Sequence, residues 1–125
     1  MEFNQLQEYQ QEIISNGCGP AISSVRPPNA KLFKEVCDQH DLDYYLGFRE
    51  IHRIKADLRL RRGIRDKIDI LPIPYLRMHM LPIFRNVPDY MVKLLFRRWA
   101  DIYFTAVFLF GRHFFYYGEK QQELP

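Results

Sequence analysis

The sequence has little of what marks a disulfide-rich secreted protein or a membrane span. Only two of its 125 residues are cysteine, whereas small disulfide scaffolds are dense in this residue. The longest uncharged stretch near the C-terminus covers residues 102–111, which is far short of the roughly 20 residues that a spanning helix needs. The opening residues lack a basic start followed by an apolar run. We therefore expect synthesis in the cytoplasm, or export by a route that needs no such signal.

Patterns typical of strands are also scarce, so the fold class that the sequence predicts is all-α. The chain is 47% hydrophobic and 26% charged, so it can bury a core and fits one compact domain over residues 1–125. Apolar spacing predicts a short helix over 3–14, a helix that begins near an Asn29 N-cap, and another over about 49–62. Gly63 is expected to perturb the end of that last helix. Its inward side would carry Ile51, Ile54, Leu58 and Arg61.

The C-terminal half divides into two parts. Four prolines between residues 68 and 88 predict an irregular connection or short helical pieces. The pattern then becomes helical again, and residues 89–117 form an aromatic helical region. Its aromatic side chains have two open interpretations: core packing, which is the commoner use of such a stripe, or a surface that docks onto lipid. The cluster over 114–117 is the better membrane candidate.

A basic stretch lies between Arg49 and Lys67, with eight Lys or Arg residues and three acids. It could face phosphates of lipid head groups or of nucleic acid, or it could be a solvated helix face. A nucleic-acid-binding helical domain ranks low, because the stretch also carries Asp57 and no base-reading module is recognisable. We therefore expect no nucleic-acid partner.

The residues that carry chemistry lie on one predicted helix. Its positions i, i+3, i+4 and i+7 share one otherwise apolar face, and they are Cys37, His40, Asp41 and Tyr44. A buried histidine needs a partner. Asp57 on the following helix is expected to point inward and to meet His40 if the two helices are antiparallel. One imidazole nitrogen would then be fixed by the carboxylate, and the other would be free to act as a general base.

Asp41 is expected to point away from this pair, towards a loop that contains Gly17 and Gly19. Backbone carbonyls and a carboxylate are the oxygen ligands that calcium prefers. Such an ion beside a base can polarise an ester carbonyl. The competing interpretation is a core histidine satisfied by a carboxylate, and the His-Asp dipeptide taken alone favours it.

The order and spacing of three motifs resemble the phospholipase A2 superfamily. The motifs are Gly17-Cys18-Gly19, then Cys37-Asp38-Gln39-His40-Asp41-Leu42-Asp43-Tyr44, then Ala56-Asp57. The likeness covers residues 16–62 and looks most like the compact bacterial and phage members. It implies a phospholipase A2-like fold, in which two antiparallel catalytic helices follow a glycine-rich calcium loop.

The resemblance also implies roles for individual residues. His40 would activate the attacking water, Asp57 would orient His40, and Tyr44 would brace Asp57. Calcium would be held by the Asp41 carboxylate and by loop carbonyls, and the Gly19 N–H would assist the oxyanion. The implied carbonyls are those of Gly17, Gly19 and Ala21. The implied activity is calcium-dependent hydrolysis of the sn-2 ester of glycerophospholipids at a phospholipid membrane surface.

The sequence departs from the family pattern at Pro20, at Ala21, where many relatives have glycine, and at Asp43, where the disulfide-rich secreted members have cysteine. Cys18 and Cys37 fall where the family places a disulfide, and two buried thiols are the open alternative.

A second function class stays open beside the enzyme. The chain could be a non-catalytic scaffold of the same kind that contacts a membrane or a protein assembly. A structural component of a phage particle is one example, and the protein would then be virion-associated.

Overall fold

The structure is a computed structural model that describes residues 1–16, 18 and 29–125. Over these residues the chain is mostly helical and contains no strand, which confirms the all-α prediction. Short 3-10 turns lie between or beside five α-helices of this described part. The helices are α1 Glu8–Ile14, α2 Lys34–Leu46, α3 Glu50–Ile70, α4 Ile73–Met78 and α5 Asp89–Phe110.

The single N-terminal helix predicted over residues 3–14 is wrong, because the backbone is extended at Leu6 and at the next residue. A 3-10 turn over Phe3–Gln5 precedes this break, and α1 follows it. The break lets Leu6 pack inward against Ile14 and Leu42 in a small apolar cluster. Burial of these side chains therefore outweighs the continuity of the helix.

The helix that carries the His-Asp pair begins later than predicted. Asn29 has a left-handed backbone with φ 63° and opens a turn over 29–33, and α2 begins at Lys34. Asparagine tolerates this backbone better than most residues, so a residue suited to a helix N-cap serves a turn here. The helix ends at Leu46, and the backbone of Gly47, the next residue, is extended.

Helix α3 is longer than predicted and continues through Gly63 to Ile70. A Cβ atom built on Gly63 would lie 2.8 Å from Cγ1 of Val36 on α2. The glycine does not end the helix, because the lack of a side chain allows α2 and α3 to approach each other closely at this point.

The side of α3 that faces the core also differs from the prediction. Ile51 and Leu58 are 51% and 47% exposed. The buried positions are Arg53, Ala56, Asp57, Leu60, Ile64 and Ile68. The spacing of apolar residues predicts the wrong side here, because two of these core positions, Arg53 and Asp57, hold charged side chains that interrupt the apolar stripe.

The main core lies between α3 and α5. Ile64 and Ile68 of α3 pack there with Val92 and Phe96 of α5. Leu76 of α4 is also part of this core, so the short helix is held by burial. The predicted short helical pieces in the proline-rich segment are confirmed, as α4 and a 3-10 turn over Pro82–Phe84.

The aromatic region is helical over a shorter range than the predicted 89–117. Helix α5 ends at Phe110, a 3-10 turn covers Gly111–His113, and residues 114–117 are not helical. Trp99 and Tyr103 pack into the core, whereas Phe108 and Phe110 are exposed. Among the helices of the described ranges, none combines the length and the apolar character needed to cross a membrane.

The basic stretch on α3 is largely paired. Arg61 and Arg65 share Asp101 of α5, and Arg59 contacts Asp43. In the described part of the chain the basic residues of this stretch that form ion pairs are Arg53, Arg59, Arg61, Arg65 and Lys67. These acids offset much of the positive charge, which favours a solvated helix face over a continuous phosphate-binding strip.

Replacing Gly63 with alanine should destabilise the protein by about 1–3 kcal/mol. The new methyl group would meet Val36, and this cost should exceed the gain of about 1 kcal/mol in helix propensity. Val36→Ala in the same chain should recover most of the loss, because it removes the opposing methyl groups. Urea unfolding of the two single variants and the double variant measures the coupling. Strictly additive losses would contradict the close approach of the helices.

Candidate active site

The centre of the site is a hydrogen bond between α2 and α3. Nε2 of His40 lies 2.9 Å from Oδ1 of Asp57. His40 is 8% exposed and Asp57 is fully buried. The helices are antiparallel, since Glu35 at the start of α2 pairs with Lys67 near the end of α3. The structure therefore brings together the two residues that the sequence predicts as a pair.

Tyr44 lies one helical turn after His40 and contacts both members of the pair. Its hydroxyl donates to Oδ1 of Asp57 at 2.6 Å, and its ring centroid lies 4.2 Å from that of His40. Burial, and then the adjacent carboxylate, raise the pKa of Tyr44 well above its usual value. The phenol therefore keeps its proton and remains a hydrogen-bond donor to Asp57.

Arg53 completes the environment of Asp57 and was not among the predicted site residues. Its Nη1 donates to Oδ2 of Asp57 at 3.1 Å and to the carbonyl of Phe108 at 3.2 Å. The side chain is 1% exposed, which is rare for arginine. The sequence signal is the i to i+4 spacing of Arg53 and Asp57, which places opposite charges on one side of a helix.

Glu50 holds the other edge of the Arg53 guanidinium. Its carboxylate accepts from Nε at 3.1 Å and from Nη2 at 2.5 Å, and it also accepts from the Tyr117 hydroxyl. The hydrogen bond from Arg53 is the main cause that lowers the pKa of Glu50 to about 2, followed by that from Tyr117. The chain of contacts therefore runs from the C-terminal segment to the His-Asp pair.

The second ring nitrogen of His40 is the one that could act as a base. An ionised Asp57 has no proton to give, so Nε2 of His40 donates in the 2.9 Å hydrogen bond. Nδ1 then carries the lone pair. Within the described ranges, no residue forms a hydrogen bond with Nδ1. The pair therefore has the arrangement of an oriented imidazole base.

Asp41 faces the start of the glycine loop, as the sequence predicts. Its Oδ2 atom accepts from the backbone N–H of Asn16 at 2.9 Å. The other predicted calcium ligands and the predicted oxyanion contact lie outside the described residues, and they are Gly17, Gly19 and Ala21. Carboxylate oxygens are among the ligands that calcium takes, and Asp41 is the predicted ligand that lies within the described residues. Groups of three or more His, Cys, Asp or Glu side chains suited to a metal are absent from the described residues.

A disulfide joins Cys18 of the loop to Cys37 of α2, with the two Cα atoms 5.2 Å apart. The two cysteines therefore form the disulfide and not a pair of buried thiols. Cys37 lies one helical turn before His40, so the bond holds Cys18 against the helix that carries His40.

A buried acid, Asp38, adds a further anchor that the sequence interpretation missed. It is 3% exposed and accepts hydrogen bonds from the Ser15 hydroxyl and from Lys34, whose Nζ lies 2.6 Å away. The sequence feature that could have indicated Asp38 is its position next to Cys37 and three residues before Asp41. Residues 15, 16 and 18 are thus all held by neighbouring positions of α2.

Phe115 is part of the site's wall and not of an exposed aromatic cluster. It is 6% exposed, and its ring centroid lies 5.2 Å from that of Tyr44. The membrane interpretation of residues 114–117 is therefore wrong for this side chain, because it packs on the bracing tyrosine. Phe114, Tyr116 and Tyr117 are 52%, 44% and 48% exposed.

Comparisons of the chain with protein-family models, with curated proteins and with solved structures found no match. The resemblance to the phospholipase A2 superfamily therefore rests on the sequence motifs alone.

Removing the disulfide should lower the free energy of unfolding by about 3 kcal/mol, as expected for a closed loop of this length, because the Cys18–Cys37 bond spans a sequence separation of 19. The double variant Cys18→Ala/Cys37→Ala and the reduced wild-type protein should behave alike in urea unfolding. The double variant is its own control, since a thiol reductant should leave its stability unchanged. Equal stability of oxidised and reduced wild-type protein would contradict this role.

Glu50 should contribute to acid sensitivity. Its folded pKa of about 2 lies below the ordinary value of 4.5, so its contribution is present above about pH 4.5 and is lost as the pH falls towards 2. Glu50→Gln removes this group. We expect the free energy of unfolding of the variant to fall less steeply than that of the wild type between pH 5 and pH 2, measured by urea unfolding. Parallel curves for the two proteins would contradict the assignment.

Proposed function

We propose that the protein is a phospholipase A2, which hydrolyses the sn-2 ester of glycerophospholipids with calcium as cofactor. The observation that carries the proposal is the buried His40–Asp57 contact at 2.9 Å. It is supported by Asp41, which faces the loop residue Asn16. A core histidine satisfied by a carboxylate would need no second carboxylate directed at a glycine-rich loop.

In this proposal His40 acts as the general base. Its Nδ1 takes a proton from water while the water oxygen attacks the ester carbonyl, and the same proton then goes to the departing glycerol oxygen. The products are a free fatty acid and a lysophospholipid. Asp57 keeps the imidazole in the tautomer that accepts at Nδ1, and it stabilises the imidazolium that forms. Tyr44 fixes the position of Asp57 through its 2.6 Å hydrogen bond.

Calcium would be held by the Asp41 carboxylate and by the carbonyls of Gly17, Gly19 and Ala21. When bound, it supplies Lewis-acid polarisation of the ester carbonyl and neutralises charge on the oxyanion. The Gly19 N–H would add a hydrogen bond to the same oxygen. The anchoring of residues 15 and 16 by α2 supports this role for Asp41, because Asn16, which directly precedes Gly17, lies beside its carboxylate.

The site of action in this proposal is a phospholipid surface. Phe114 and Tyr116 are exposed beside Phe115, which packs on Tyr44, and aromatic side chains of this kind are suited to the interface between water and lipid. The Cys18–Cys37 disulfide is typical of oxidising compartments. It supports action outside the reducing cytoplasm, either after export or in association with a virion.

The test is the release of sn-2 fatty acid from phospholipid vesicles with calcium and with a chelator. We expect calcium-dependent release by the wild-type protein. His40→Ala should lower the rate by about 10²–10⁴-fold, the usual contribution of a general base, while circular dichroism shows an unchanged helical fold.

His79 gives a matched control, because it is an exposed histidine that contacts only Tyr75 among the rings of the described residues. His79→Ala should keep full activity. Wild-type-like activity of a folded His40→Ala protein would contradict the mechanism. Equal losses of activity in both variants would indicate damage to the fold.

The second candidate function is a non-catalytic scaffold that contacts a membrane or a protein assembly, such as a phage particle. It is favoured by apolar side chains that protrude around α4, where Met78, Leu81 and Ile83 are 74%, 66% and 82% exposed. The two functions differ in their response to calcium. A calcium titration that changes neither the melting temperature nor ester hydrolysis favours the scaffold.

A further inference from the structure

We propose that one end of the molecule docks onto anionic lipid bilayers, through four protruding apolar side chains with cationic residues beside them. These four side chains, the apolar tip, are Met78 at the end of α4 and Leu81, Ile83 and Phe84 in the turn that follows. The inference goes beyond the proposed function, because it holds whether or not the protein hydrolyses lipid.

The apolar tip belongs to a segment that is anchored on both sides. Leu76 and Met80, which lie between and before the tip residues in the chain, are buried in the main core. Arg77 holds the segment after the tip, since its Nη1 atom donates to the carbonyls of Arg85 and Val87 at 2.5 and 2.7 Å. The exposed side chains therefore protrude from a fixed backbone instead of completing the core.

More exposed apolar side chains lie at the same end of the molecule. Arg77 of α4 pairs with Asp89, the first residue of α5, and Lys93 of α5 donates to the Asp69 carbonyl near the end of α3. The exposed apolar residues of these helix ends are Ile70, Tyr75 and Tyr90. Aliphatic side chains with tyrosines close by suit the boundary between head groups and acyl chains. A fluid bilayer accepts such protruding side chains without the matching groove that a protein partner would need.

The net charge of the chain is concentrated at this end. Residues 69–98 carry five Lys or Arg and two Asp or Glu, whereas the rest of the chain carries the two kinds in equal numbers. In the described part of the chain, Arg85 and Lys93 donate to backbone carbonyls and form no ion pair. Their charges therefore complement anionic head groups, and each cation close to such a surface strengthens binding.

This docking surface is separate from the candidate active site. Asp57 lies in the first half of α3 and Ile70 is its last residue, so roughly 20 Å of helix separates them. Binding through the apolar tip should therefore need neither calcium nor His40.

The experiment measures sedimentation of the 125-residue chain with vesicles. A chelator is present, so that calcium-dependent hydrolysis does not occur. Phosphatidylglycerol vesicles supply an anionic surface, and phosphatidylcholine vesicles supply a zwitterionic one. We expect about tenfold tighter binding to the anionic vesicles, and added salt should reduce this preference.

The double variant Leu81→Asp/Ile83→Asp tests the apolar tip. Both side chains are exposed, so the melting temperature should equal that of the wild type. Affinity for the anionic vesicles should fall by at least tenfold, because two apolar side chains no longer leave water. Ile13→Asp/Ile51→Asp is the matched control: it makes the same chemical change at two exposed isoleucines of α1 and α3. Its affinity should stay within about twofold of the wild type.

Arg85→Gln tests the cationic part of the surface. Affinity for phosphatidylglycerol vesicles should fall about fivefold, the usual effect of one cation near an anionic bilayer. Affinity for phosphatidylcholine vesicles should not change.

The proposal is overturned if the wild type does not bind the anionic vesicles or binds both kinds equally, and also if the control variant loses as much affinity as the tip variant. If the tip variant does not fold, Arg85→Gln decides: a fivefold loss supports the proposal and an unchanged affinity overturns it.

A second copy of this chain is the competing occupant. An apparent mass that doubles with concentration, without vesicle binding, and that stays monomeric in Leu81→Asp/Ile83→Asp would assign the apolar tip to a dimer and overturn lipid docking. Failure of the proposed function is distinct, because it shows as absent hydrolysis with calcium while binding with the chelator remains.

Discussion

The carboxylate of Asp57 lies where water does not reach it, and a buried carboxylate without partners costs several kcal/mol. Its three side-chain donors are His40, Tyr44 and Arg53. Two of these donors come from α2 and one from α3. The Asp57 carboxylate therefore keeps all three hydrogen bonds only when α2 and α3 have this position relative to each other. The close approach of Gly63 to Val36 lies further along the same helix pair and depends on the same register.

The rest of the site is built outward from α2. Cys37, Asp38 and Asp41 hold three residues that flank or belong to the glycine loop. On the other side, Phe115 packs against Tyr44, and Gly118 donates its N–H to the Phe48 carbonyl at 3.0 Å. Helix α2 is therefore held by residues near both chain ends, and a shift of this helix would disturb residues 15–18, His40 and the C-terminal segment together.

The predictions from sequence succeed where a local rule applies. Helical spacing places His40 and Tyr44 on one face, and four prolines break the segment between α3 and α5. They fail where tertiary contacts override the local rule. Gly63 lies inside a helix because α2 packs against it, and the apolar side of α3 is misassigned because charged Arg53 occupies a core position. The i to i+4 spacing can pair Arg53 with Asp57, but no local pattern reports that this pair will be buried in the core.

The sequence by itself determined the all-α class, the spacing of the His-Asp helix and the choice of Asp57 as the partner of His40. These follow from periodicity within one helix and from the cost of burying a lone charge. Only the tertiary structure decided that Cys18 and Cys37 are bonded, that Arg53 is buried against Asp57, and that Phe115 lines the site. Each of these depends on the distance between residues far apart in the chain or on the loss of water around them, which helix packing sets.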